Sequence, residues 1–394
     1  MNRGENPGEV AVSHKQEITR YSSDLVKRGL ALVKRADPPA VAMFRADLQR
    51  TGLYKTRAVH RFKGVRWSVR DSAGHPSGHF CWSSPTIIDE TVYVGGNPSL
   101  RALDLETGVE KWRFGTKGVI WSSPAVANGV VYFGSWDGNL YAVDARGGVE
   151  KWRFVTKEGI LSSPAVNEKV VYFGSHDGHL YAVDVETGKE KWRFGTEDGI
   201  YSSPAVSGGA VFFGSQNGLF YALDLDTGKR KWTVQTDGFI WSSPAVNDGV
   251  VYFGSSDGNL YAVDAVTGKE EWRFNIDQAI VSSPAIVDRL LYVGGVPYVG
   301  GSIGTLFAVN ILTGEERWRF ETEGQIFCSP SIADSILYFG AFIGCCKGHL
   351  YALDARTGDE RWSIETATRI YSSPTVADGV VCFQDSGGTL YAIS

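Results

Sequence analysis

Residues 118–154 read GVIWSSPAVANGVVYFGSWDGNLYAVDARGGVEKWRF, and most of the remaining chain repeats this unit with small changes. A Ser-Ser-Pro triplet begins at Ser83, Ser122, Ser162, Ser202, Ser242, Ser282 and Ser372, and Cys328-Ser329-Pro330 is an eighth copy. From Ser122 to Ser282 the copies recur every 40 residues, the length of one four-stranded propeller blade. The unit parses into four short strands rich in Val, Tyr, Phe and Trp, the residues that suit half-buried pleated surfaces. Strand A is expected over Gly118 to Val126, B over Val130 to Ser135, C over Leu140 to Asp144 and D over Glu150 to Phe154. Asp137-Gly138, Asp177-Gly178, Asn217-Gly218 and Asp257-Gly258 mark the B–C turns, because these pairs accept positive φ in tight hairpins. Thr-Gly pairs such as Thr187-Gly188 mark most of the C–D turns.

Each expected D strand carries one Trp: Trp67, Trp112, Trp152, Trp192, Trp232, Trp272, Trp318 and Trp362. The chain ends at Ser394, just after a C strand, and a spare D-like stretch lies at Val65 to Arg70. The sequence therefore predicts an all-β, eight-bladed β-propeller in which this N-terminal strand completes the last blade. Closure of that kind removes two open sheet edges, which would otherwise template aggregation. The expected organisation is a polar tail plus basic helix over 1–40, a leader crossing the ring over 41–64 and the propeller over 65–394.

The pattern Ala-x-Asp-x-x-Thr-Gly-x-x-x-Trp, present at Ala102–Trp112, Ala182–Trp192, Ala222–Trp232, Ala262–Trp272 and Ala352–Trp362, resembles the tryptophan-docking motif of pyrroloquinoline-quinone (PQQ)-type propellers. The Ala142–Trp152 copy has Gly147 for Thr, and the Ala308–Trp318 copy has Asn310 for Asp. The resemblance covers roughly residues 43–394 and implies that the Trp side chains form a girdle between blades. It also implies that residues 43–54 (MFRADLQRTGLY) are the leader that precedes such propellers.

The C–D turns are nearly uniform, whereas variation gathers in the B–C loops. Blade six has six extra residues in Val296–Thr305, which includes Tyr298, and blade seven has four extra in Ala341–Gly348. The short B–C turns differ at their first position, with Trp136, His176, Gln216 and Ser256. The D–A and B–C loops share one end of a meandering blade, so that face is the expected binding surface. The residues before the triplets are Trp82, Trp121, Leu161, Tyr201, Trp241, Val281, Phe327 and Tyr371, six of them aromatic. They either ring the mouth of the central channel or pack between inner strands.

The reading favours a binding scaffold over an enzyme. Cys345-Cys346, on the blade-seven insertion, echoes the vicinal disulfide that holds PQQ in quinoprotein alcohol dehydrogenases. Those relatives also need Ca²⁺ ligands and an Asp base, and neither inserted loop contains a carboxylate. No catalytic residue, metal site or cofactor is expected, with PQQ as the alternative. Ser-Ser-Pro recurs too often for one Ser to stand out as a nucleophile, and His176 and His179 lack a third ligand. Cys81, Cys328 and Cys382 replace repeat residues and read as buried.

Of the net charge of −5, residues 1–70 carry 15 Lys/Arg against 6 Asp/Glu, leaving an acidic propeller that is a poor nucleic-acid surface. Residues 15–36 read as a basic amphipathic helix, with Ile18, Tyr21, Leu25 and Leu32 in a stripe and Lys27 and Arg28 among its cations. It could pack on the propeller, dock to a partner protein or lie on an anionic membrane, the last being the least favoured. Residues 1–20 hold no apolar run of export length, so a cytoplasmic, monomeric propeller with a protein partner is the expectation. The propeller of outer-membrane assembly machinery, which shares the repeat, would need an export signal and a lipid-anchor Cys.

Overall fold

Runs such as Val130–Gly134 and Val170–Gly174 are buried along their whole length, whereas outer strands such as Glu150–Val155 alternate between half-buried and exposed. Four-stranded sheets stacked face to face around an axis require this gradient, since the middle strands are covered on both sides and the outer strand meets water. The computed structural model describes residues 41–71, 82–298, 303–344 and 346–394. They form eight antiparallel sheets, one per repeat, each running A-B-C-D outward from the axis. Among the described residues there is no helix. The helix expected over 15–36, with Ile18, Tyr21, Leu25, Lys27, Arg28 and Leu32, lies outside them, as do Cys81 and Cys345.

The last blade is completed as the sequence predicts. Val65–Arg70 pairs antiparallel with the final strand, with Trp67 opposite Ala392 and Arg70 opposite Thr389. Each D strand is bulged beside its Trp, as at Glu150/Trp152 against Val143/Ala142. The indole Nε1 of Trp112, Trp152, Trp192, Trp232 and Trp272 donates to a carbonyl of the next blade at 3.0–3.2 Å. The ring lies against the glycine of that blade's C–D turn. A Cβ on Gly188, whose φ is +66°, would come within 2.7 Å of the Trp152 ring, so the turn and the blade contact both demand glycine. Blade eight has no C–D turn of its own, and there Trp362 Nε1 donates to Val59 O of the leader at 2.9 Å.

One expectation is corrected. Strand A does not run from Gly118 to Val126: only Ala125–Ala127 forms a strand. Pro124 has no N–H for the ladder, and the two serines before it use their bonds elsewhere. The first serine ties its own blade, as where Ser122 Oγ accepts the N–H of Gly134 at 3.0 Å. Cys328 keeps this contact through Sγ, which accepts the N–H of Gly340 at 2.8 Å. The second serine ties neighbouring blades. The N–H of Ser84 donates to Ser123 Oγ, that of Ser123 to Ser163 Oγ, and so on through Ser203, Ser243, Ser283, Ser329 and Ser373. The N–H of Ser373 donates back to Ser84 Oγ, closing a ring of eight bonds of 2.9–3.0 Å.

Candidate functional site

The eight residues before the triplets, the eight second serines and Phe44 of the leader enclose a cavity of about 140 Å³ on the propeller axis. None of Trp82, Trp121, Tyr201, Trp241, Phe327 and Tyr371 is fully buried; they face the cavity. The first position of each short B–C turn bonds to the D–A loop entering the same blade: Trp136 N–H donates to Val119 O and His176 N–H to Gly159 O, both at 2.9 Å. Both loop sets thus frame the same mouth.

The rings form an arc. Phe327, Tyr371, Trp82, Trp121, Trp136, His176, Tyr201 and Trp241 follow one another with centroids 5.1–5.8 Å apart, within the range of favourable aromatic contact. Blade three offers Leu161 to the cavity, and His176 from its B–C turn bridges the arc there. The arc is open only at blade six, where Val281 stands. His176 Nδ1 lies 2.5 Å from Glu158 Oε2, which fixes the imidazole between Trp136 and Tyr201. Trp82 Nε1 and Trp241 Nε1, on opposite blades, have no hydrogen-bond partner among the described residues.

Three further side chains belong to this mouth that sequence reasoning missed. Phe342, from the blade-seven insertion, stacks on Phe327 at 5.3 Å and contacts Tyr371 at 5.6 Å. Arg369 covers the Phe342 ring at 4.9 Å and donates to Tyr371 Oη at 3.2 Å. Phe239 extends the far end of the arc beside Trp241. The signal for Phe342 was the insertion itself; the other two lie in D–A segments that the repeat leaves variable.

The remaining singled-out residues sit apart from the cavity. Tyr298 is exposed and donates to Ser256 O at 3.2 Å. Cys346 is exposed at the tip of the hairpin formed by Ile336–Ile343 and Lys347–Asp354 and does not line the cavity. Cys328 and Cys382 are buried, which pushes both thiols up to about 12.

The leader crosses the opposite mouth and plugs its axis, leaving beside blades one and eight a second cavity of about 470 Å³ against Thr86, Ile87 and Thr375. The leader carbonyls at Leu48, Gln49, Thr51 and Gly52 accept the strand-A N–H groups of Val206, Val246, Ile286 and Ile332 at 2.8–2.9 Å. Two buried arginines complete the plug. Arg50 donates to Pro204 O and Ser163 O, both at 2.9 Å, and to Phe44 O at 2.6 Å. Arg45 donates to Pro330 O at 3.3 Å, to Arg50 O at 3.1 Å and to Pro284 O. Desolvation lowers Arg45 to about 10 and, aided by the neighbouring Arg45 charge, lowers Arg50 to about 9, so both stay charged at neutral pH. The Arg50 guanidinium lies 5.5 Å from the Phe44 ring, directly behind the cavity floor.

A closed ring of eight such blades around an aromatic axial cavity defines a PQQ-like β-propeller. Within that class the chain belongs to the family described as the β-propeller of the β-alanine-activating enzyme, which matches residues 79–340 and again 166–394. No curated protein matches the sequence. BamB from Moraxella catarrhalis is 19% identical over 84% of this chain and 97% of its own, with a TM-score of 0.69. The quinohemoprotein alcohol dehydrogenase of Comamonas testosteroni is 17% identical over 89% of this chain and 80% of its own, with a TM-score of 0.76. The computationally designed Ika8 protein is 18% identical over 81% and 97%, with a TM-score of 0.70. At these identities the likeness is one of fold, which a natural assembly of unlike functions and a designed protein share.

Proposed function

We propose that this propeller is a non-catalytic binding module whose D–A/B–C face receives a protein partner, with the axial cavity as its anchor point. The observation that carries this reading is the contrast between the faces. The leader plugs the axis at one mouth with buried arginines, while the other presents an arc of eight rings around an axial cavity. Rigid, half-exposed aromatics around a pocket are the usual energetic centre of an interface.

A quinoprotein-like oxidoreductase has less support. The axial cavity is lined by serine, aromatic and aliphatic side chains, with no carboxylate, cysteine or cation among them. Cys346 stands away from it, and among the described residues no three His, Cys, Asp or Glu side chains gather as a metal site. These residues do not fit the quinone and its Ca²⁺.

The test compares the two faces in cells. A photo-crosslinking residue is placed at Trp136 or Phe342 on the aromatic face, and at Val149 or Leu312 among the exposed C–D turns. Discrete crosslinked species from the first pair alone are the expected result. Equal yields from both pairs, or crosslinks from the C–D turns alone, would overturn the reading.

A further inference from the structure

The cavity neck offers hydrogen-bond protons and almost nothing else. A serine hydroxyl has one proton and two lone pairs. In each second serine one lone pair already accepts the N–H of the neighbouring blade at 2.9–3.0 Å, and all eight hydroxyls are at least nine-tenths buried and line the cavity. Among the hydrogen bonds of the described residues, none has one of these eight hydroxyls as donor. Accepting an N–H polarises the O–H and strengthens it as a donor.

On blades three, four, six and seven, carbonyls of the Ser-Ser-Pro segments are engaged by guanidiniums. Ser163 O and Pro204 O are held by Arg50, and Pro284 O and Pro330 O by Arg45. These cations make no ion pair within 4 Å among the described residues; Asp47 is the one carboxylate near enough to raise their pKa values. Two positive charges against one negative thus lie under the floor, where burial screens them less than bulk water would. Above the serines the walls are six aromatic rings with Leu161 and Val281.

We propose that the axial cavity is a carboxylate site, taking an oxyanion on the crown of serine hydroxyls and the aromatic group attached to it between the rings of the mouth. The inference rests on the binding reading given above and names its ligand chemistry. That chemistry, a ring one short linker from a carboxylate, is offered by a free arylalkanoic acid and by a protein chain ending in an aromatic residue.

Four probes separate the possibilities when titrated into the purified full chain by calorimetry, with tryptophan emission as a second readout: 3-phenylpropionate, its primary amide, a pentapeptide ending in Phe, and the same peptide amidated. The acids should bind at least about tenfold more tightly than the matched amides, the difference expected for hydrogen bonds to a charged group. A peptide acid tighter than 3-phenylpropionate assigns the site to a protein C-terminus, and equal affinity assigns it to a free acid.

The variant for this test is Ser123→Cys/Ser283→Cys, on opposite blades and under reducing conditions. Cys328 shows that sulfur can keep an N–H contact in this fold, while a thiol is a weak donor. The variant should retain its melting temperature within a few degrees and bind the acids at least about fivefold more weakly, with the amides unaffected. Amides that bind as well as acids would overturn the carboxylate site while leaving the aromatic face as a binding surface. No binding by any probe at millimolar concentration would also overturn it, and the crosslinking experiment would then judge the face on its own.

Discussion

The two mouths of the channel are built from the same eight repeats and end up opposite in character. At the closed mouth the inner-strand N–H groups are capped by leader carbonyls and buried guanidiniums tie blades three, four, six and seven together. At the open mouth the inner residues are aromatic, half-exposed and two of their indole N–H groups have no partner among the described residues. Bracing contacts gather at the end the leader crosses, and exposed aromatic surface at the other. The blades already distinguish the two ends, with D–A and B–C loops at one and A–B and C–D turns at the other; the non-repeated leader adds the buried cations at the second.

The largest effect is expected from breaking the closed mouth. Arg50→Ala leaves the carbonyls of Ser163, Pro204 and Phe44 without donors and opens a void behind the floor. It should cost on the order of 3 kcal/mol or more in urea unfolding. A loss below about 1 kcal/mol would show that the leader decorates the ring without bracing it.

A smaller effect compares two tryptophans in matched settings. Trp362 and Trp318 each sit beside a tyrosine, with centroids 5.8 and 5.7 Å apart. Trp362 Nε1 donates to the leader, whereas Trp318 Nε1 has no hydrogen-bond partner among the described residues. The carbonyl that corresponds to its acceptor, Ala355 O, takes the Tyr292 hydroxyl at 2.7 Å. Trp362→Phe should therefore be costlier than Trp318→Phe by about 1 kcal/mol in thermal unfolding, the worth of one buried hydrogen bond. Equal losses would mean that area alone sets the value of these rings.

How much of this was legible in the sequence follows from which contacts repeat. The blade count, the order of strands and the closure by Val65–Arg70 were readable because every copy restates them. The same spacing singled out the residue before each triplet but left open whether it rings the mouth or packs between strands, and it gave no sign that the second serines and Phe44 also line the cavity. Strand A was misread because an apolar stretch looks like a strand whether or not its N–H groups pair along the ladder. The serine ring left a trace in Cys328-Ser329-Pro330, where the first serine changes and the second does not. Arg45 and Arg50 left none: their partners are backbone carbonyls up to 285 residues away, and a carbonyl carries no sequence signature. Arg369 was hidden for a related reason: it meets Phe342 only through the blade-seven insertion, which flagged the loop but not the contact.

The smallest expected effect concerns a buried charge at the open mouth, and it sharpens the contrast with the arginines. Asp385 stands where Ser135, Ser175, Ser215 and Ser255 stand in the regular blades, and it is 1% exposed. Burial raises its pKa above the ordinary 3.8, against the opposing hydrogen bonds from Thr389 N–H, Thr368, Tyr391 and Gly387 N–H. A carboxyl raised on folding contributes most when protonated, below its unfolded value, and that contribution is lost as pH climbs through the folded value. Asp385→Asn should therefore match the parent in stability near pH 3 and exceed it at pH 7, read from urea midpoints at the two pH values. A variant less stable than the parent at pH 7 would mean that the bonds from Thr389 and Tyr391 outweigh the desolvation of the charge. The open mouth would then resemble the closed one, with its buried charge also held by a full set of partners.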